Sequence, residues 1–97
     1  MGSSISSDAL RFCREKGLLL ELSRAIDIAK NCFSIIGNPA VDLVRDRETN
    51  GLSYLSLEIR VSGAVKDNVI AHRKFAQEAA RLLGSNREMI TLHYDIV

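Results

Sequence analysis

The apolar residues of this chain alternate between two spacings, and that alternation limits the folds open to it. Leu18, Leu22, Ala25, Ile26, Ala29 and Phe33 recur at three- and four-residue steps, the period of a helix with one buried stripe. Val65, Val69, His72, Ala76, Ala79, Ala80 and Leu83 repeat that pattern, flanked by Phe75 and Leu82. Between the two stripes and after the second, apolar positions fall at every other residue, the period of a strand with one wet side.

The first helical pattern extends back to residue 7, where Ser6 or Ser7 can cap it and Asp8 favours its positive end. Gly17 is the expected break, so residues 1–17 read as an N-terminal arm or short helix and 18–97 as a single α+β domain. Asn38-Pro39 stops the helical pattern. Strands are expected over 40–47, 52–61 and 88–97, with the second helix over 65–83 and Gly84 as its terminator.

A two-residue Asn50-Gly51 turn would place Leu43 opposite Glu58 on one face of the first two strands. A three-residue loop over 49–51 instead sets Leu43 opposite Leu57 and Val41 opposite Ile59, and it is preferred because opposed side chains share a face. The buried face is then Val41, Leu43, Leu55, Leu57, Ile59 and Val61, joined by Ile90, Leu92, Tyr94 and Ile96 of the last strand. The expected fold is a two-layer α+β sandwich in the order helix-strand-strand-helix-strand. Its small, mainly antiparallel sheet carries both helices on one face. So few strands leave at least one sheet edge unsatisfied unless charges or a partner blunt it.

At 97 residues one core is all the chain can enclose, and its stability margin is thin. Thirteen Lys and Arg against twelve Asp and Glu exclude a strongly basic nucleic-acid arm and an acidic tail. No Trp and 5% aromatic residues argue against a base- or sugar-stacking platform. Apolar runs such as Leu18-Leu19-Leu20 fall far short of the about 20 residues of a membrane span. The first seven residues have neither the basic stretch nor the apolar stretch of a signal peptide. The expected location is therefore the cytoplasm, with Cys13 and Cys32 reduced and packed.

The stretch 18–97 also resembles a scattered group of short, uncharacterised bacterial single-domain α+β proteins. The likeness lies in Cys32-Phe33, Val41-Asp42-Leu43-Val44, Asp46-Arg47-Glu48-Thr49-Asn50-Gly51, Tyr54-Leu55-Ser56-Leu57-Glu58-Ile59, His72-Arg73-Lys74-Phe75 and Leu92-His93-Tyr94-Asp95-Ile96. That group typically shows an Asp-Pro-Glu-Thr-Gly turn and a Trp in its second helix. Here Arg47 replaces the Pro, Asn50 is inserted before the Gly, and the Trp is absent. The resemblance implies the fold; the group has no established activity to carry over.

Val44, Tyr54, Ser56, Glu58, Arg60, Thr91, His93 and Asp95 should share the uncovered sheet face and form the candidate interaction surface. Asp42 and Glu58, expected opposite each other there, would join His93 and Asp95 in the one conceivable acid–base or metal cluster. Arg73, Lys74 and Arg81 on the second helix are candidate phosphate contacts, although Asp67 and Glu78 are interleaved with them. His72 belongs to the helix stripe and should lie on the opposite side of the sheet from His93. Phosphate-loop, dinucleotide and zinc-site spacings are absent, so no catalytic residue, metal or cofactor is assigned. The expected function is a non-enzymatic protein-interaction or self-association module, accessory or antitoxin-like. Its partner would be a second copy, as a homodimer, or another protein. The alternative is nucleic-acid binding through the basic face of the second helix.

Overall fold

The computed structural model describes residues 4–46, 52–84 and 89–97. Along the chain run β1 (Ser4–Ile5), α1 (Ser7–Lys16), α2 (Leu19–Cys32), β2 (Ile35–Asp46), β3 (Leu52–Val61), α3 (Val65–Leu83) and β4 (Ile90–Ile96). The fold is α+β, and the described residues form three helices and one open four-stranded sheet in the spatial order β1-β2-β3-β4. The sheet is mixed rather than mainly antiparallel: β2 and β3 pair antiparallel, whereas β1–β2 and β3–β4 are parallel. Parallel neighbours need a long crossover, and α3 supplies it between β3 and β4. The expected element order lacked β1, whereas the break that separates α1 from α2 falls at Gly17, where a short leading helix or arm was expected to end.

Helix α1 begins where Ser6, in extended conformation, accepts a hydrogen bond from the Ala9 N–H. It ends at Gly17, whose φ of 67° is the left-handed conformation that closes a helix. Ala9, Phe12 and Cys13 of α1 join the same core as Leu22, Ala25, Ile28 and Ala29 of α2. Ile5 packs against that core, and the Ser6 N–H donates to the Val41 carbonyl at 3.0 Å.

Strand β2 begins at Ile35, five residues before the expected start, and runs through Asn38-Pro39. The chain does this with a bulge between Ile36, opposite Arg60, and Ala40, opposite Glu58. Gly37 has φ 73°, and Pro39, which has no N–H to donate, lies in the same irregular stretch. The loop assigned to 49–51 lies outside the described residues, but the register shows that the expected pairing is wrong. Leu43 faces Leu55 and Val41 faces Leu57, two residues along from expectation. A slip of two leaves every side chain on its original face, so the inward set survives.

Val41, Leu55, Leu57, Ile59, Val61 and Ile90 are buried, and Leu43, Leu92 and Tyr94 pack beside them. All three helices contribute to this one cluster on one side of the sheet. Helix α3 is rotated relative to its expected stripe. Asn68, Ala71, Phe75, Ala79 and Leu83 face the core, while Val65, Val69, His72, Ala76 and Ala80 are exposed. Asn68 makes the rotation possible, because its amide donates to the carbonyls of Ser62 and Ala64 at 3.2 and 3.0 Å. Those bonds satisfy a polar group that would otherwise be costly to bury.

Candidate interaction surface

Alternation along β2, β3 and β4 places Val44, Tyr54, Ser56, Glu58, Arg60, Thr91, His93 and Asp95 on the sheet face opposite the helices. Register organises them into rows. Glu58 neighbours His93, Arg60 neighbours Asp95, Ser56 neighbours Thr91, and Val44 faces Tyr54. Glu58, Arg60, His93 and Asp95 are exposed, with a hollow of about 280 Å³ among them that Asn38 and Ala40 help to line. Ser56, on the central strand, is only 3% exposed.

The expected juxtaposition of Asp42 and Glu58 is not formed. Asp42 faces Ser56, and Glu58 faces Ala40. The Asp42 Oδ1 atom instead accepts from the Ser6 hydroxyl at 3.0 Å and the Leu43 N–H at 2.8 Å. Asp42 thus ties the Ser6 cap of α1 to β2 and lies apart from the His93 row. Among the described residues no group of three His, Cys, Asp or Glu side chains can hold a metal ion.

His72 lies on the helix side, its ring 5.6 Å from that of Tyr94, which in turn stands 5.2 Å from Phe33. The two histidines therefore occupy opposite sides of the sheet. Arg73, Lys74 and Arg81 are exposed on α3, but the Arg81 guanidinium donates to Glu78 at 2.7 Å. A second hollow, of about 380 Å³, lies between α1 and the β2–β3 end of the sheet. It mixes Arg11, Lys16 and Arg45 with Asp8 and Glu15, so neither sign of charge stands unopposed.

Both cysteines are free. Burial pushes the Cys13 thiol up. Burial also raises Cys32, helped by the Glu78 carboxylate and opposed by Lys74. Raised thiols are poor nucleophiles near neutral pH, which suits packed rather than reactive cysteines.

What sequence reasoning missed is which strand edge stays bare. Among the described residues β4 is the last strand of the sheet and pairs only with β3. Val97 N–H donates to Val61 O at 3.0 Å, which fixes the parity of the ladder. Odd-numbered residues of β4 direct their backbone groups to β3, and Leu92, Tyr94 and Ile96 direct theirs outward. The sequence 90–96 has no Pro, Gly or Lys to blunt that edge. Beside it, Val65 and Val69 are 67% and 45% exposed on α3, and Ile96 and Val97 are 39% and 63% exposed. Compared with known proteins, the chain matches no family model, no curated protein and no solved structure.

Proposed function

We propose that this chain is a small, non-enzymatic module that acts by binding protein, either a second copy of itself or a partner, through β4 and the sheet face beside it. The observation that carries this reading is the regular, unblunted outer edge of β4. Unpaired N–H and C=O groups in a row are a template for another strand, and folded proteins ordinarily cover or break such a row. The exposed apolar side chains of α3 and of the chain end flank the same edge and gain from being covered. A 97-residue domain also has a thin stability margin, which a partner binding only the folded form widens by mass action. No helix among the described residues is long and apolar enough to cross a membrane. Two free thiols suit a reducing compartment, and we place the protein in the cytoplasm.

Sedimentation velocity from low to high micromolar concentration tests the reading, together with affinity capture that uses an edge-blocked Ile96→Pro chain as control. Concentration-dependent mass, or capture that the control loses, is expected. A chain that stays monomeric throughout and captures nothing beyond its control overturns it.

A further inference from the structure

The geometry points to a two-fold symmetric dimer in which β4 pairs antiparallel with β4 of a second copy, His93 opposite the partner's Asp95. The inference rests on the association reading above and narrows it to one occupant and one register.

Parity restricts the choice of register. The outward-directed backbone groups belong to even-numbered residues, so even-numbered residues must pair with even-numbered ones across the new ladder. A slip by one residue would also turn Leu92 and Tyr94 toward the partner's wet face. Charge then selects among the permitted registers. Within one chain, Glu58 neighbours His93 and Arg60 neighbours Asp95 on the open face. With Tyr94 opposite the partner's Tyr94, His93 lies against the partner's Asp95. Each row across the seam then reads Glu58, His93, the partner's Asp95, the partner's Arg60.

Acid and base alternate through that whole row, and two-fold symmetry generates it twice. His93 serves either as a cation or as a neutral N–H donor to the carboxylate. The next permitted register opposes His93 to the partner's His93 and Asp95 to the partner's Thr91, and the alternation is lost. On the helix side, the chosen register sets Leu92 against the partner's Ile96, an apolar pair that covers an exposed side chain.

Helix α3 completes the seam. One flank faces α2, where Arg24 reaches the Leu82 carbonyl and Cys32 lies near Glu78. The other flank carries Val65, Val69 and His72 at helical spacing, with the His72 ring beside Tyr94 of β4. Adding a second copy at β4 brings the two bare flanks toward each other. Among the described residues the far side of the sheet ends in the two-residue β1, too short to nucleate further addition, and a two-fold β4–β4 seam uses up both β4 edges.

The test uses the full chain in sedimentation equilibrium and native mass spectrometry. Wild type should dimerise. Ile96→Pro removes an outward N–H while leaving the β3–β4 ladder intact, and it should weaken the dimer at least about tenfold. His93→Asp should weaken it about tenfold, because it opposes two carboxylates across the seam. Asp95→Lys should weaken it as well, because the partner's His93 loses its acceptor and faces an ammonium instead. An equal mixture of the two charge variants should form the heterodimer preferentially. There the introduced carboxylate at position 93 meets the introduced ammonium at position 95, and the unaltered His93 meets the partner's Asp95. The mixture also guards against variants that merely loosen the fold, because its monomers are the same ones measured alone. Unchanged dimerisation by Asp95→Lys overturns the register. Self-association insensitive to Ile96→Pro and to both charge variants overturns the edge, and leaves association through another surface standing. Absence of any wild-type self-association overturns the dimer, and the association reading then stands or falls on edge-dependent capture.

Discussion

The two edges of the sheet are handled in opposite ways. At the β1 side, the two residues Ser4 and Ile5 pair with Ala40 and Val41, and the strand behind them is broken by a bulge that contains Gly37 and Pro39. The Ser6 hydroxyl ties that corner to Asp42, and the helix it caps packs back onto the core. Irregular backbone, a proline and a hydrogen-bonded cap leave little for a foreign strand to read. At the β4 side, residues 90–96 run regularly, with outward backbone groups at Leu92, Tyr94 and Ile96. Among the described residues, one edge is closed by several independent devices and nothing covers the other. Such asymmetry is expected of a sheet that is completed by something else.

The largest effect should come from testing that parity directly. Asp95→Pro removes an N–H directed at β3 and should cost about 2–4 kcal/mol of unfolding free energy. Ile96→Pro, one residue on, removes an outward N–H and should cost about 1 kcal/mol in the monomer. Urea titration well below the association range measures both. Equal losses would mean that the ladder is not polarised as described, and the contrast between the edges would collapse.

Next in size is the device that breaks the opposite edge. Nothing lies within 4 Å of where a Cβ on Gly37 would sit, so Gly37→Ala meets no clash. Its cost is the left-handed backbone alone, φ 73°, about 1–2 kcal/mol. Thermal unfolding that leaves Gly37→Ala as stable as wild type would show that the bulge is not held in this conformation. Ser6→Ala should follow at about 1 kcal/mol, the usual loss for an N-cap. Its signature is faster hydrogen exchange at Ala9 and Leu43, whose N–H groups bond to Ser6 and to the Asp42 carboxylate that Ser6 holds.

How much of this is legible in the sequence depends on the period of each signal. Side-chain alternation has period two, so the face of every candidate residue from Val44 to Asp95 is readable even with the β2–β3 register misplaced by two residues. Both long helices are readable for the same reason, a repeat that spans many residues, and the break between α1 and α2 is readable from the single glycine at 17. Strand β1 is not, since two residues inside a Ser-rich start carry no period at all. The rotation of α3 is hidden because Asn68 counts as polar in any pattern, and only its two carbonyl partners make it a core residue. Parallel pairing of β3 and β4 is available in the element order, because a helix between two neighbouring strands is the crossover such a pair requires. Most important, an edge is a property of strand order rather than of strand sequence. A bare edge could be expected from the strand count, but its place on β4 has no signature in the chain.

The smallest expected effect separates the two halves of the helix layer, and the cysteines report it. Cys13 lies in α1 behind the closed edge at 0% exposure, whereas Cys32 lies at the end of α2 beside Lys74 and Glu78 of α3. Both thiols are held above their ordinary range, chiefly by burial. The neutral thiol is therefore the form that the fold accommodates. Stability from this source is fully present while the unfolded chain's thiols are also protonated. It declines as pH climbs past the ordinary thiol range, because the unfolded chain ionises first. A Cys13→Ala, Cys32→Ala chain should lose part of the alkaline slope, which denaturant titrations across that range resolve. Alkylation should distinguish the positions as well: at alkaline pH Cys32 should react before Cys13, which needs α1 to open. Equal rates would mean that α1 is no better held than the end of α2, and that the β1 side is closed in outline but not in energy.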